Sequence, residues 1–487
     1  MQDIPRKQHC YECLRRSLVC DSARPSCARC TASGTPCPGY DNPPARTLRW
    51  LAPGQVTSRK RKTRNMLVRE VEETTAVIPR FKMRTDSCAV VQAVEYYNSC
   101  IYPNLTPIEA LGKNPYMYLI SPSILRAATS LPDFLMQVTV CMTLSHRMHR
   151  TRNKALAQSF YEFRGKAIQG LNETIGAETQ RAGDAVLAGI LMLLLTDAQQ
   201  GGLSDWRYHI AAVARIISLR GGIRALVGQK PLEPLLLAFL FSAVVANTTS
   251  PASDLVMTEL HLTELDCIFE HFSGAASPFQ MRPPLLLAGI IQINDLRHRA
   301  AGNWNNQLGD ARSIMVADLL GSAYTILGHI ESFSPEQWAG IKTSSNEDWE
   351  VIGRISRAGA AIYCILSLQS LSVFPLSSAL REKCRKHSAY LQKHLGTAVS
   401  SPKLRVLMLW PLVVLGVEAV HGGTEMRSFV AKQLEEMSWQ VGTASPLAAK
   451  AVLERFWGSG ATRWDSCFDR PYLFMTQIAV DVARIMP

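Results

Sequence analysis

The sequence predicts a mainly α chain: a small N-terminal cysteine module with two short helices, then a linker, then a large all-α helical domain. Three observations carry this. Six of the 13 cysteines fall within residues 10 to 37, in a repeated spacing. Positive charge is gathered at the same end. From about Cys88 onward, apolar residues recur at helical spacing and no run of alternating strands is visible. At 487 residues the chain has ample length for a large core, and 47% apolar content excludes a mostly disordered chain.

The module comes first. Cys10, Cys13, Cys20, Cys27, Cys30 and Cys37 follow the spacing C-x2-C-x6-C-x6-C-x2-C-x6-C, so the second half repeats the first. A Cys-x2-Cys pair can close on one ion in a single turn, and thiolates hold zinc at about 2.3 Å in a tetrahedron. Six sulfurs cannot give two zinc ions four private ligands each; they suffice if two sulfurs bridge. The competing reading, a disulfide framework, needs an oxidising compartment, and the N-terminal residues hold no apolar run of the kind a signal peptide requires.

This arrangement resembles the fungal Zn2Cys6 binuclear cluster, a DNA-binding module of transcription factors. The match extends to the basic residues of the first half, Asp21 after the third cysteine and Pro25 between the halves. The resemblance implies that the first and fourth cysteines bridge. One zinc would take Cys10, Cys13, Cys20 and Cys27, and the other Cys27, Cys30, Cys37 and Cys10. It also implies that the first helix enters the major groove and reads a short G·C-rich site.

The first helix is expected from Tyr11 to around Cys20 and the second from Ala28 to near Gly34. Between Cys13 and Cys20 the family usually carries about four cations. Here the run is Leu14-Arg15-Arg16-Ser17-Leu18-Val19. Arg16 stands at a base-reading position, Ser17 where the main base-contacting lysine usually stands, and Leu14 and Val19 where cations usually meet phosphate. An arginine can take guanine O6 and N7 together; a serine bonds more weakly. The candidate DNA contacts are therefore Arg15, Arg16, Ser17 and Arg29.

The linker follows. Pro43 and Pro44 prevent a helix, and Trp50 is read as packing back on the cluster rather than stacking on bases. Arg59-Lys60-Arg61-Lys62-Thr63-Arg64 puts five positive charges in six residues. Residues 1–65 hold 13 Lys or Arg against 4 Asp or Glu, while the remaining 422 hold 39 against 36. Charge so placed expects a local polyanion, and the block is read as a nuclear import signal and a phosphate-binding arm. No heptad pattern is sustained between Met66 and Tyr97, so dimerisation through the linker has no support and the oligomeric state stays open.

The helical domain is expected to hold helices over Val90 to Cys100, Leu135 to Met148, Ala155 to Thr174, Ala185 to Ala198, Asp205 to Leu219, Leu235 to Ala246, Leu285 to Arg299, Ile314 to Ser332, Val351 to Leu371, Ser377 to Gly396, Leu404 to Val420, Thr424 to Trp439 and Pro446 to Trp457. Gly-Gly pairs at 201–202, 221–222 and 422–423 punctuate them. The segments Trp410-Pro411 through Glu418 and Trp464-Asp465 through Pro471 resemble the fungal-specific transcription factor domain that accompanies such clusters. The boundaries read from the sequence are thus 1–50 for the DNA-binding module, 51–87 for the basic linker and 88–487 for the regulatory domain. No apolar run reaches the 18 or so residues a membrane span needs; Ala185 to Leu195 reads as a buried helix.

No catalytic motif of phosphate-binding, hydrolase-elbow, dinucleotide or zinc-protease type is present. His146 and His149 share a helix face beside Arg147 and Arg150 and are expected at the surface. Three functions compete. The first is a zinc-dependent, sequence-specific transcription factor for RNA polymerase II genes, nuclear, with double-stranded DNA and the transcription machinery or co-regulators as partners. The second is an interaction protein or co-regulator that keeps the cluster but has lost sequence reading, motivated by Leu14, Ser17 and Val19. The third, an enzyme on the helical domain, has only that domain's size behind it, so the chain is read as not an enzyme.

Overall fold

A computed structural model describes residues 9–16, 18–40, 87–112, 118–128, 130–177, 182–201, 206–227, 233–272, 283–303, 310–342 and 344–476. Ser17, Trp50 and the basic block at 59–64 lie outside these residues, as do the side chains of Leu14 and Arg15. The chain divides into two compact units, Met1–Pro79 and Arg80–Pro487. Among the described residues the regular structure is all helical, with no strand.

The larger unit is built on helices that are apolar all round, as buried helices must be. Asp184–Gln199 is one; every residue from Val186 to Gln199 is buried. It packs against Asp133–Arg150 and Trp206–Leu219 and organises one hydrophobic core, which includes Phe134, Leu171, Trp206 and Phe239. Asn346–Ser370 organises a second core with Pro284–Asn303, Asp310–Ser332, Ser378–Ala398 and Leu409–Val441. By length and composition Asn346–Ser370 could cross a membrane, but 83% of its most apolar window is buried inside this unit, which marks it as a core helix.

Close packing fixes particular residues. Gly416 lies where any side chain would collide with Leu453, so Leu409–Val441 and Ser445–Ser459 approach closely there. Gly423 has φ 80° and ψ −174°, a conformation open to glycine alone, and it kinks Leu409–Val441 at the second residue of a Gly-Gly pair. The two helices expected on either side of that pair are therefore present, abutting at the kink. The first begins at Leu409, because Arg405–Leu407 forms a 3-10 turn instead.

The two segments that resemble the fungal domain meet at one buried residue. Trp410 donates its indole N–H to the Thr248 hydroxyl at 2.9 Å, and Trp464 donates to the Thr248 carbonyl at 3.0 Å. Beside them the guanidinium of Arg297 is wholly buried. It donates to the carbonyls of Asn247 and Ser250 at 2.7 and 2.8 Å, to the Tyr363 hydroxyl at 3.1 Å and to the Asp465 carboxylate at 2.8 Å. The same Asp465 oxygen accepts the Ala252 N–H, and Tyr363 donates to Asn294. A buried charge is tolerated only when paired and hydrogen-bonded in this way.

His146 is not at the surface: it is 1% exposed, bonded through Nδ1 to the Tyr96 hydroxyl at 3.0 Å, with its ring against Gly442. Gly442 sits at φ 76° to end Leu409–Val441, and a side chain there would meet the imidazole. His149 is half-buried, its Nε2 3.4 Å from Gln200.

Candidate metal centre and nucleic-acid interface

The N-terminal unit has almost no core apart from its cysteines. Among its described residues, those buried and hydrophobic are Cys10, Cys13, Cys20, Cys27, Cys30 and Tyr40, with Leu18 and Cys37 packed against them. Without a cross-link or an ion, so few contacts cannot offset the conformational entropy of some thirty residues.

The sequence repeat is a structural repeat. Cys10 Sγ accepts the Cys13 N–H at 3.4 Å, and Cys27 Sγ accepts the Cys30 N–H at 3.4 Å. Those sulfurs start two one-turn helices, Tyr11–Arg15 and Ala28–Ala32. Both turns close alike: the Leu18 N–H bonds the Cys13 carbonyl at 2.9 Å, and the Thr35 N–H bonds the Cys30 carbonyl at 3.0 Å. A shift of 17 residues thus maps one half's bonds onto the other's. The five-residue closures stop both helices earlier than the sequence suggested. The first ends at Arg15, so Arg16 stands in the turn beyond it; the second ends at Ala32, and Gly34 takes φ 64° to turn the chain.

The six sulfurs fall into two groups of four. One is Cys10, Cys13, Cys20 and Cys27; the other is Cys10, Cys27, Cys30 and Cys37. Within each, all ligand atoms lie within 4.8 Å of one another. A tetrahedron with arms of about 2.3 Å has edges of about 3.8 Å. The sulfurs of Cys10 and Cys27 are 3.6 Å apart, those of Cys10 and Cys30 3.7 Å, and those of Cys13 and Cys27 3.6 Å. None of the six is in a disulfide. Two of these groups, sharing two sulfurs, fit two tetrahedral ions.

Without an ion, burial works against charge on most of these sulfurs. Burial, aided by neighbouring sulfurs, pushes the Cys13 thiol up to about 12; burial likewise raises Cys10 and Cys30. Burial also acts against the Cys20 thiolate, yet the backbone N–H groups of Cys10 and Ser22, with the Tyr40 hydroxyl, bring it down to about 6. Packed thiolates of one sign need a cation, and a coordinated thiol is deprotonated outright. Two residues brace the frame. Asp21 accepts the Ala28 N–H with both oxygens at 3.1 Å, capping the second helix, and His9 Nδ1 accepts the Cys20 N–H at 3.1 Å.

Of the candidate DNA contacts, Arg16 and Arg29 are exposed; Val19, which stands where the family usually has a cation, is 75% exposed. The sequence reading did not single out Arg297, Asn294 or Tyr363. Pro284–Asn303 carries both Arg297 and Arg299, and nothing in their spacing says which of the two is buried.

The comparisons bear on the larger unit and on the whole chain. Residues 92–473 match the family model described as the fungal specific transcription factor domain. The chain is 44% identical over 501 aligned positions to the phomenoic acid biosynthesis cluster-specific transcriptional regulator of Leptosphaeria maculans, covering 100% of this chain and 92% of that protein. It is 21% identical to the acriflavine sensitivity control protein acr-2 of Neurospora crassa, over 67% of this chain and 54% of the relative. With the aspercryptin biosynthesis cluster-specific transcription regulator atnN of Emericella nidulans it shares 23% identity, over 49% and 39%. No solved structure matches. The domain that those 382 residues form, with Trp410, Trp464 and Arg297 knitted into its core, places the chain in the family of fungal transcription factors that carry it.

Proposed function

We propose that the chain is a zinc-dependent, sequence-specific DNA-binding transcription factor of RNA polymerase II genes, acting in the nucleus on a short G·C-rich site. The observation that carries this is the pair of four-sulfur groups sharing Cys10 and Cys27, on a chain of a transcription factor family. Cys10, Cys13, Cys20, Cys27, Cys30 and Cys37 would hold two zinc ions, whose contribution is to fold the module. The chain's own residues do the rest. Arg16 reads a base edge, Arg15 and Arg29 meet phosphates, and Arg59, Lys60, Arg61, Lys62 and Arg64 add salt-dependent affinity and nuclear import. The division into 1–50, 51–87 and 88–487 assigns DNA binding to the first part and regulation or recruitment of co-regulators to the last. Two relatives are named as regulators specific to a biosynthesis cluster, which supports target genes grouped in one biosynthetic cluster. Selection of bound sequences from random DNA by the zinc-loaded full chain tests the reading: a shared short motif is expected, and its absence sinks it.

The exposed Val19, where a cation would meet phosphate, favours one second reading: a cluster-bearing co-regulator without sequence preference. Equal retardation of selected and scrambled DNA would support that instead.

A further inference from the structure

Tyr40 is the one buried hydrophobic residue of the N-terminal unit, among those described, that is not a cysteine. It lies three positions after Cys37, outside the repeat, and its ring closes over the first half. The phenolic hydroxyl donates to the Ala23 carbonyl at 2.9 Å and lies 3.7 Å from the Cys20 sulfur. The Arg24 guanidinium sits over the ring, 5.3 Å from its centre. The backbone nearby is tied as well: the Tyr11 N–H bonds the Gly39 carbonyl at 3.2 Å. The segment after the last cysteine is thus anchored to the loop that leaves Cys20.

We propose that Tyr40 is a positioning residue for the Cys20 thiolate, and so tunes one of the two metal positions and not the other. This rests on the two-zinc reading above. Cys20 belongs only to the group with Cys10, Cys13 and Cys27. Among the described residues the phenol's contacts of hydrogen-bonding length are to Cys20 and Ala23, and it makes none to Cys30 or Cys37 of the second group. The phenol's one proton goes to the Ala23 carbonyl, so the hydroxyl acts on the sulfur by its place rather than by donation: at 3.7 Å it keeps water off a metal–sulfur bond there. Holding Ala23 also fixes the chain three residues beyond Cys20. The two ion positions, related by the 17-residue repeat in their ligands, are therefore unlike in their surroundings.

The test uses the zinc-loaded full chain and an excess of a chromogenic chelator. Tyr40→Phe keeps the ring and its packing and removes only the hydroxyl. Loss of an outer partner of this kind costs about 10–100-fold in metal affinity. One ion should leave Tyr40→Phe about tenfold faster than it leaves the wild type, while the other keeps its rate. In cadmium-loaded protein, one of two cadmium NMR resonances should move. Tyr40→Ala, which opens the core, should speed the loss of both. Unchanged rates and resonances in Tyr40→Phe, or equal changes at both positions, would overturn the proposal. A wild-type chain that binds fewer than two ions would instead fail the two-zinc reading itself.

Discussion

The sulfurs of Cys10 and Cys27 lie 3.6 Å apart, and each accepts the N–H of the residue three positions on. This is the pair common to both four-sulfur groups. Removing either should therefore cost both ions, whereas removing Cys37 should cost one. Atomic absorption on Cys10→Ser, Cys27→Ser and Cys37→Ser proteins gives the stoichiometry; one zinc retained in Cys10→Ser would refute the bridging role. Chelation should unfold the N-terminal module and leave the far-UV helical signal of the larger unit nearly intact.

Arg15 is the last residue of the first helix and Arg16 stands in the turn beyond it, and the two are assigned different parts of the DNA. Arg16→Ala should relax specificity at one or two base pairs, by roughly 1–3 kcal/mol of discrimination. Arg15→Ala should weaken all sequences alike and reduce the salt slope by about one unit. Titrations of selected and scrambled DNA at two salt concentrations separate them. If Arg16→Ala weakens both DNAs equally, the residue does not read sequence.

Neutralising Arg59, Lys60, Arg61 and Lys62 should flatten the salt dependence of DNA binding and abolish nuclear accumulation, with the preferred site unchanged. A changed site preference in that variant would show that the block reads bases.

Asp465→Ala should destabilise the helical unit strongly, by about 3–5 kcal/mol, because it leaves the buried Arg297 guanidinium without its carboxylate. Arg297→Met together with Asp465→Ala should recover part of that loss. The denaturant midpoints of the two variants decide; equal midpoints would mean that the pair is not coupled.

Stability should fall with acid. Burial, with Arg150 and His149 adding to it, brings His146 down to about 4, and burial brings His261 down to about 4, both from 6.5. A histidine depressed in the folded state is protonated more readily when unfolded. The stability is therefore fully present above about pH 6.5 and is lost as pH falls towards about 4, on the order of 3 kcal/mol per histidine. Asp197 extends the loss. Burial opposes its charge, but His209 and Arg164 hold it below the usual carboxylate range, so protonating it at lower pH breaks that cluster. Urea midpoints at pH 7, 6 and 5 should decline, and His261→Gln should reduce the slope; an unchanged slope would remove His261 from the account.

Much of this was legible in the sequence. Spacing alone brought out the six cysteines, because a repeated Cys-x2-Cys pattern carries its geometry with it. Asp184–Gln199 and Asn346–Ser370 were visible because long apolar helices repeat their signal many times. Short pieces such as Ile223–Val227, Pro335–Gly340 and Trp464–Cys467 were not, since a turn or two contains too few residues to show a period. His146 was misplaced because the polar residues beside it on the chain point elsewhere; its surroundings come from Tyr96 and Gly442, 50 residues before it and some 300 after. For Tyr40, nothing in its neighbours along the chain names Ala23 or Cys20.

The partnership of Arg297 with Asp465 also sets an order of events on the ribosome. The two are 168 positions apart in the chain. At roughly 5–20 residues per second, the guanidinium waits on the order of ten to thirty seconds for its carboxylate to be made. Until then the helix that carries it cannot settle into its final place without burying a bare charge. The domain is thus completed only once residue 465 has been made, and a nascent chain stopped before codon 465 leaves a regulator whose centre never closes.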